Sequence, residues 1–132
     1  MAHLIIELSE NVAGSLDVGA LCERMRGALV EAAIFPIAGI RVRAYCAQAC
    51  AIADRHERNG FAAMTLVVGH GRTKADLAGA GDTVFAAARE VFADWLADAY
   101  FGLSLEIREI DPDLTWKANT IRPRLQAQQA SE

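Results

Sequence analysis

The order strand, helix, strand occurs twice along this chain of 132 residues, and this repeat limits the possible folds more than any other feature. In the first copy, the apolar run of residues 3–8 predicts a short strand, and residues 40–46 alternate between apolar and polar side chains as a second strand does. Between them, apolar residues recur at helical spacing: Val18, Leu21, Cys22, Met25, Ala28, Leu29 and Ala32. The first copy therefore predicts a βαβ unit.

The second copy follows a polar turn at residues 54–60. Residues 61–68 predict a strand, and the capping pattern Thr73-x-x-Asp76 marks the start of a long helix. Residues 103–110 supply the closing strand. The buried stripe of the long helix is predicted to be Leu77, Ala80, Val84, Ala87, Ala88, Val91, Trp95 and Ala99.

Two such units can join in one four-stranded sheet, because each βαβ unit is right-handed and has parallel strands. We expect an α/β (α+β) fold of one domain, residues 1–132, with a mixed sheet that carries both helices on one face. The repeats are assigned to residues 2–50 and 60–110, followed by a C-terminal segment, 111–132, that we expect to be frayed beyond Ile121. Since the uncovered sheet face has mixed polarity, we also expect a homo-oligomer.

The composition limits the classes of partner and the cell compartment. The chain is 53% hydrophobic, but no run approaches the roughly 18 apolar residues of a membrane span, and the start lacks the pattern of a signal peptide. A net charge of −4 and a pI near 5.3 argue against general binding to nucleic-acid backbones. Cys22, Cys46 and Cys50 form neither an even disulfide set nor a CxxC pair, so we expect reduced, small core residues in a cytoplasmic protein.

The amino terminus is a candidate catalytic group, because the chain enters its first strand at once with Ala2, His3 and Leu4. An α-amine has an ordinary pKa of about 7.7 to 8.0, close enough to neutrality to act as a base. We expect this terminus to be built into the fold.

Three arginines are candidate anion ligands. Arg72 stands just before the predicted helix cap, where backbone N–H groups and the positive helix end favour a carboxylate; the alternative is a solvated loop arginine. Arg41 and Arg43 share one face of their strand, and a partly enclosed guanidinium needs an anionic partner. That partner is either a carboxylate of the chain, Glu7 or Glu106, or a carboxylate of a substrate, and periodicity leaves both open.

The three histidines, His3, His56 and His70, do not have the spacing of metal ligands, so no metal is predicted. Each is interpreted as a surface or strand-end histidine. Residues 69–72, GHGR, have the wrong glycine pattern for a P-loop and indicate a strand-to-helix turn. His70 in this turn is an alternative candidate for a catalytic base.

Five segments carry a family resemblance: AHLIIE at 2–7, IFPIAGIRVR at 34–43, MTL at 64–66, GHGR at 69–72 and LTWKxN at 114–119. They resemble the 5-carboxymethyl-2-hydroxymuconate Δ-isomerase family of the tautomerase superfamily, nearly from end to end, and the FPxAGIRxR part is the most specific. The resemblance implies a homotrimer whose sheets surround a central barrel. It also implies no cofactor and a small dicarboxylate substrate from aromatic catabolism.

The same resemblance implies a mechanism. In that family the amine of an amino-terminal proline, exposed by methionine removal, moves a proton between carbons of an unsaturated 2-hydroxy or 2-oxo acid. Family arginines hold the carboxylates and stabilise the dienolate charge. These arginines match Arg41 and Arg72 here, and Arg43 is expected to add positive potential.

This chain has Ala2 where the family has its proline. Removal of Met1, which a small second residue permits, places a primary amine at that position, whereas retention of Met1 blocks it. Alanine lacks the ring that fixes φ and aims the lone pair. Two interpretations follow: an isomerase that uses the Ala2 amine as base together with Arg41 and Arg72, or a non-catalytic trimer that binds small organic acids.

Overall fold

The structure is a computed structural model that describes residues 1–131. Glu132, the last residue of the predicted C-terminal segment, lies outside the described residues. The elements in chain order are β1 (Ala2–Leu8), α1 (Glu10–Ala13), α2 (Val18–Glu31), β2 (Ile40–Cys46), β3 (Gly60–Val68), α3 (Lys74–Val91), α4 (Ala93–Leu96), β4 (Phe101–Glu109) and α5 (Ile121–Ser131). Short 3₁₀ turns lie at Ile37–Gly39 and Pro112–Leu114.

The four strands form one mixed sheet in the order β2-β1-β3-β4. Within each repeat the strands are parallel, β1 with β2 and β3 with β4, and the two repeats meet through the antiparallel pair β1 and β3. In this register Ala2 pairs with Ile40 on one side and with Val68 on the other. The predicted mixed sheet of two βαβ units is therefore confirmed.

The core lies between one face of the sheet and the two long helices. Every second residue of β1 and β3 is buried there, including Leu4, Ile6, Met64 and Leu66. Helices α2 and α3 contribute apolar stripes to the same cluster and pack against each other. Each fully buried side chain of this size contributes about 1.5–3 kcal/mol, so this face provides most of the hydrophobic stabilisation.

Side-chain caps fix where the two long helices begin. The Asp17 side chain accepts a hydrogen bond from the Ala20 N–H at 3.0 Å, and the Thr73 hydroxyl accepts one from the Asp76 N–H at 3.1 Å. The long helix of the second repeat, α3, is shorter than predicted. Its backbone leaves helical geometry at Phe92, with φ −98° and ψ 20°, so the four residues of α4 form a separate turn.

Two further expectations are wrong. Cys46 and Cys50 are exposed rather than in the core, because one ends an edge strand and the other lies in the loop after it, and Cys22 is only partly buried. The chain beyond Ile121 is the helix α5 rather than a frayed tail. Helix α5 is largely polar, and it packs against the Ile37–Gly39 turn.

No element of residues 1–131 covers the opposite side of the sheet. We call it the open sheet face. It consists of His3, Ile5 and Glu7 of β1, Arg41, Arg43 and Tyr45 of β2, Phe61, Ala63, Thr65 and Val67 of β3, and Ser104, Glu106 and Arg108 of β4. Its polarity is mixed, as predicted. Within residues 1–131, no helix is both long enough and apolar enough to cross a lipid bilayer.

Candidate active site

A cleft of about 490 Å³ opens at the amino terminus of β1. It is lined by Met1 and His3 of the amino terminus, by Arg41 of β2, and by Lys117 and Arg122 of the C-terminal segment. A second cleft, of about 510 Å³, lies at the opposite end of β1 and β2, and its charged side chains are of both signs. The amino-terminal cleft combines a titratable amine with several cations, so it is the stronger candidate site.

The free amine of this structure belongs to Met1, one residue before the predicted base. The Ala2 side chain is fully buried in the core, while its backbone lies between β2 and β3 at the edge of the cleft. Gly39 allows this close approach: a Cβ at that position would lie 3.1 Å from Met1 Cα and 3.2 Å from Met1 N. The terminus is thus built into the fold, as expected.

Arg72 lies in the turn before α3, outside the cleft lining, and its charge acts on the Met1 amine. Its Nε donates to the Ile34 carbonyl at 3.1 Å, its Nη1 donates to the Gly69 carbonyl at 3.4 Å, and its guanidinium stacks 4.9 Å from the centre of the Phe35 ring. Both hydrogen bonds use neutral acceptors. The positive charge of Arg72 is therefore held in place without being neutralised.

Arg41 and Arg43 likewise retain their charge. No ion pair among the described residues involves Arg41, Arg43 or Arg72. Glu106 pairs with Arg108 on β4, the sheet edge opposite to β2. Within one chain, the alternative that a sheet carboxylate neutralises these arginines is not observed, which leaves them available to an anionic ligand.

The cations and partial burial shift the titration of the groups in the cleft. Burial lowers the pKa of the Met1 amine below 8.0, and Arg72, Lys117 and Arg122 lower it further by disfavouring the charged form. Burial likewise lowers the pKa of His3 below 6.5, with Arg41, Arg43 and the amino terminus as the next causes. At a given pH, an amine in this position is therefore neutral to a greater extent than an ordinary α-amine, and the neutral form can accept a proton.

Not every predicted site residue reaches the cleft. Arg43 pairs in register with Ile5, two residues further along β2 than Arg41, and it is absent from the cleft lining. It influences His3 through its charge alone. His70 is exposed and its Nδ1 lies 3.6 Å from a carboxylate oxygen of Glu109, outside the cleft lining.

The sequence analysis missed the contribution of the C-terminal segment. Asn119 fixes this segment: its Nδ2 donates to the Ala38 carbonyl at 3.1 Å, and its Oδ1 accepts from the Ile121 N–H at 2.8 Å, which caps α5. Lys117 and Arg122 on either side of Asn119 thereby face the cleft. The LTWKxN motif marked these residues as family-like, but no local pattern predicted a contact across 81 positions.

Comparison with known proteins agrees with this geometry. The 5-carboxymethyl-2-hydroxymuconate Delta-isomerase of Escherichia coli is 32% identical over 121 residues, covering 92% of this chain and 96% of that protein. A crystal structure of a 5-carboxymethyl-2-hydroxymuconate isomerase from Deinococcus radiodurans R1 is 33% identical with a TM-score of 0.87, covering 94% of this chain and 93% of that one.

More distant structures share the fold. A fused 4-OT wild-type symmetric trimer is 20% identical, covers 89% of this chain and 92% of that chain, and has a TM-score of 0.61. The family model described as 5-carboxymethyl-2-hydroxymuconate isomerase matches residues 2–125. With this match and the relatives above 30% identity, the chain belongs to the 5-carboxymethyl-2-hydroxymuconate isomerase family, in the tautomerase superfamily.

Proposed function

We propose that this protein is a cofactor-independent isomerase that moves a proton within an unsaturated 2-hydroxy or 2-oxo acid with two or more carboxylates from aromatic catabolism, such as the tricarboxylate 5-carboxymethyl-2-hydroxymuconate. The observation that carries the proposal is the terminal amine of Met1 in a cationic cleft, where burial and then the charges of Arg72, Lys117 and Arg122 lower its pKa. An acidic chain that concentrates positive charge at a titratable amine is suited to an anionic substrate and a proton transfer.

The mechanism begins with hydrolysis of the Met1–Ala2 peptide bond, which consumes one water and releases free methionine. The neutral Ala2 amine then takes a proton from the substrate, from the hydroxyl of a 2-hydroxy acid or from a carbon beside the carbonyl of a 2-oxo acid, and returns it to another carbon, so the substrate formula is unchanged. Arg41 and Arg72 bind the carboxylates and stabilise the negative charge of the dienolate, while Arg43 adds positive potential from the neighbouring strand position.

Alanine in place of proline is expected to change the orientation of the amine lone pair rather than the presence of a neutral amine. The Ala2 backbone is fixed by strand pairing on both sides, to Ile40 and to Val68. Its primary amine still rotates about the N–Cα bond, which a proline ring would prevent. The expected penalty is in orientation, since the burial and charges that lower the pKa of the Met1 amine are expected to favour a neutral Ala2 amine too.

The proposal includes an assembly and a location. A cytoplasmic homotrimer of single-domain chains would place the open sheet faces around a central barrel. Fused 4-OT structures with the same fold are described as symmetric trimers, which supports this arrangement. The trimer is also supported by three apolar side chains that remain partly exposed on the open sheet face, those of Ile5, Phe61 and Val67.

Intact-mass spectrometry and a kinetic assay test the function together. The mass shows whether the chain begins at Met1 or Ala2, and the Ala2 form is expected to isomerise 5-carboxymethyl-2-hydroxymuconate. Arg41→Ala and Arg72→Ala should each lower kcat/KM by about 100-fold or more, because each removes a charge that stabilises the dienolate. Arg89→Ala, an exposed substitution near the end of α3, is the charge-matched control.

The contradicting result is binding without turnover. If calorimetry shows that fumarate binds the Ala2 form while no substrate is converted, the chain is a binding protein for small organic acids. Ala2→Pro then gives a second reading: restored activity would show that only the base was missing. Equal rates in the parent, Arg41→Ala and Arg72→Ala would contradict the assigned roles of the two arginines.

A further inference from the structure

One backbone hydrogen bond at the site depends on the residue that the proposed function removes. The Gly69 N–H donates to the Met1 carbonyl at 3.3 Å, at the end of the antiparallel pairing between β1 and β3. If Met1 leaves, its carbonyl leaves too, and this N–H loses its acceptor. A half-buried N–H without a partner is unfavourable, so it becomes a ready donor for another oxygen.

The released donor lies close to the new amine. The carbonyl oxygen and amide nitrogen of one peptide group are about 2.3 Å apart. Together with the 3.3 Å hydrogen bond, this places Gly69 N at most about 5.6 Å from Ala2 N. That gap accommodates a substrate oxygen bonded to Gly69 N–H while the neighbouring carbon faces the amine. The Met1 carbonyl oxygen thus marks a position for a substrate oxygen.

The donor is held in place by contacts that do not involve Met1. The Val68 carbonyl, on the same peptide group as the Gly69 N–H, accepts a hydrogen bond from the Ile110 N–H at 2.9 Å. The Gly69 carbonyl accepts from Arg72 Nη1 at 3.4 Å. Both bonds survive the loss of Met1, so the N–H should keep its direction. A fixed donor of this kind needs no reorganisation when negative charge develops.

We propose that the Gly69 backbone N–H, uncovered by removal of Met1, donates a hydrogen bond to the substrate oxygen that becomes negative in the dienolate. The proposal rests on the proposed function, because it needs Ala2 to be the terminal residue. It gives removal of Met1 a second role beside exposing the base: the same cleavage assembles an oxyanion contact between Ala2 and Arg72.

Amide hydrogen exchange in the two forms of the full chain tests the proposal without an activity assay. A cleavable fusion that ends before Met1 or before Ala2 supplies both forms. Gly69 is expected to exchange at least about 10-fold faster in the Ala2 form, because its acceptor is gone. Saturating fumarate should restore protection and move the Gly69 amide proton downfield. Equal protection in both free forms overturns the proposal.

A pair of variants tests the donor by kinetics. Gly69→Pro removes the N–H, whereas Gly69→Ala keeps it and adds a Cβ that would lie 3.9 Å from Arg72 Nη1, an ordinary contact. In the Ala2 form, kcat of Gly69→Pro should be about 100-fold below that of Gly69→Ala, with a smaller change in KM. Equal kcat in the two folded variants overturns the proposal.

The two failures are distinguishable. An inactive parent in the Ala2 form contradicts the proposed function, and the exchange measurement then decides the role of Gly69 alone. An active parent with equal kcat in Gly69→Pro and Gly69→Ala keeps the function and removes Gly69 from it. If Gly69→Pro fails to fold, judged by circular dichroism, exchange in the unmodified sequence is again decisive.

Discussion

Gly39 determines how closely the amino terminus can approach β2. A side chain there would press on the backbone of Met1, at 3.1 Å from its Cα, but would lie 4.0 Å from Ala2 N, an ordinary contact. The crowding therefore concerns Met1, which the proposed function removes, rather than Ala2, which would then be the terminal residue. This difference makes Gly39 a sensitive reporter of the state of the terminus.

We expect Gly39→Ala to affect the two forms of the chain differently. In the Ala2 form, it should raise the free energy of unfolding by about 0.4–1 kcal/mol, because alanine reduces the entropy of the unfolded chain. In the Met1 form, crowding should cancel or reverse this gain, so the two forms differ by about 1 kcal/mol. Urea unfolding of both forms measures the difference.

Gly79→Ala is the matched control, since Gly79 lies within α3 and an added Cβ there meets nothing within 4 Å. It should stabilise both forms equally, by about 0.5–1 kcal/mol. If Gly39→Ala shifts the two forms by the same amount, then Met1 does not occupy the position described here.

The pKa of the amine also belongs to the residue scale, and its direction favours catalysis. An ordinary α-amine with a pKa near 7.8 is only about one quarter neutral at pH 7.4. Burial and the charges of Arg72, Lys117 and Arg122 lower the pKa at this position, which enlarges the neutral fraction at the same pH. Burial and the neighbouring cations therefore both favour the neutral form of the amine.

At the scale of elements, α5 brings part of this charge to the site. The helix belongs to neither repeat, and it is connected to the Ile37–Gly39 turn through the Asn119 side chain. Asn119 has two separable roles: its Nδ2 contacts the Ala38 carbonyl, and its Oδ1 caps α5. Loss of both should let Lys117 and Arg122 move away from the amine.

Asn119→Ala should raise the pKa of the terminal amine and increase exchange of the α5 amides. The pKa is expected to rise because Lys117 and Arg122, once they have moved away, no longer disfavour the protonated amine. The acidic limb of the kcat/KM profile should move to higher pH. A pH titration of the Ala2 ¹³C-methyl resonance in the Ala2 form measures the shift directly.

Asn119→Ser is the control that separates the two roles. Serine is a good helix cap but is too short to replace the bond to Ala38, so α5 should persist while the amine pKa still rises. The cap alone contributes about 1 kcal/mol. An unchanged amine pKa in Asn119→Ala would show that α5 does not depend on this side chain for its position.

The fold was predictable because its strands and helices are marked by local, periodic patterns of apolar residues. Alternating residues identified β2, and the stripe from Leu77 to Ala88 together with the Thr73 cap identified α3. The break at Phe92 was missed, since its buried side chain continues the apolar character of the segment while its backbone leaves helical geometry. Periodicity detects which side chains are buried, but not a local change in ψ.

The site was predictable only where the chain itself brings groups together. Ala2 and Arg41 meet because strand register places them one residue apart across β1 and β2. Lys117 and Arg122 are held near the amino terminus by the hydrogen bond between Asn119 and the Ala38 carbonyl, which spans 81 positions. No repeat or spacing in the sequence encodes such a contact. The Gly69 donor was equally hidden, because a backbone N–H carries no residue-type signal.

At the scale of the whole molecule, the open sheet face is the feature that a single chain leaves unexplained. Ile5 lies near its centre on β1, level with Arg43 of β2 and Thr65 of β3. In the proposed trimer this face is enclosed, whereas in a free chain it contacts water. A carboxylate introduced there distinguishes these states, because burying one costs several kcal/mol of desolvation, which an ion pair with Arg43 does not fully offset, while exposing one costs little.

Ile5→Glu is therefore expected to dissociate the protein without unfolding the chain. Sedimentation velocity should give the parent about three times the 14.2 kDa mass of one chain, and the variant a much smaller species with unchanged far-ultraviolet circular dichroism. Ala86→Glu, the same charge change at an exposed position of α3, should remain trimeric. A parent that sediments as a single chain excludes the trimer, and a trimeric Ile5→Glu places the interface elsewhere than the open sheet face.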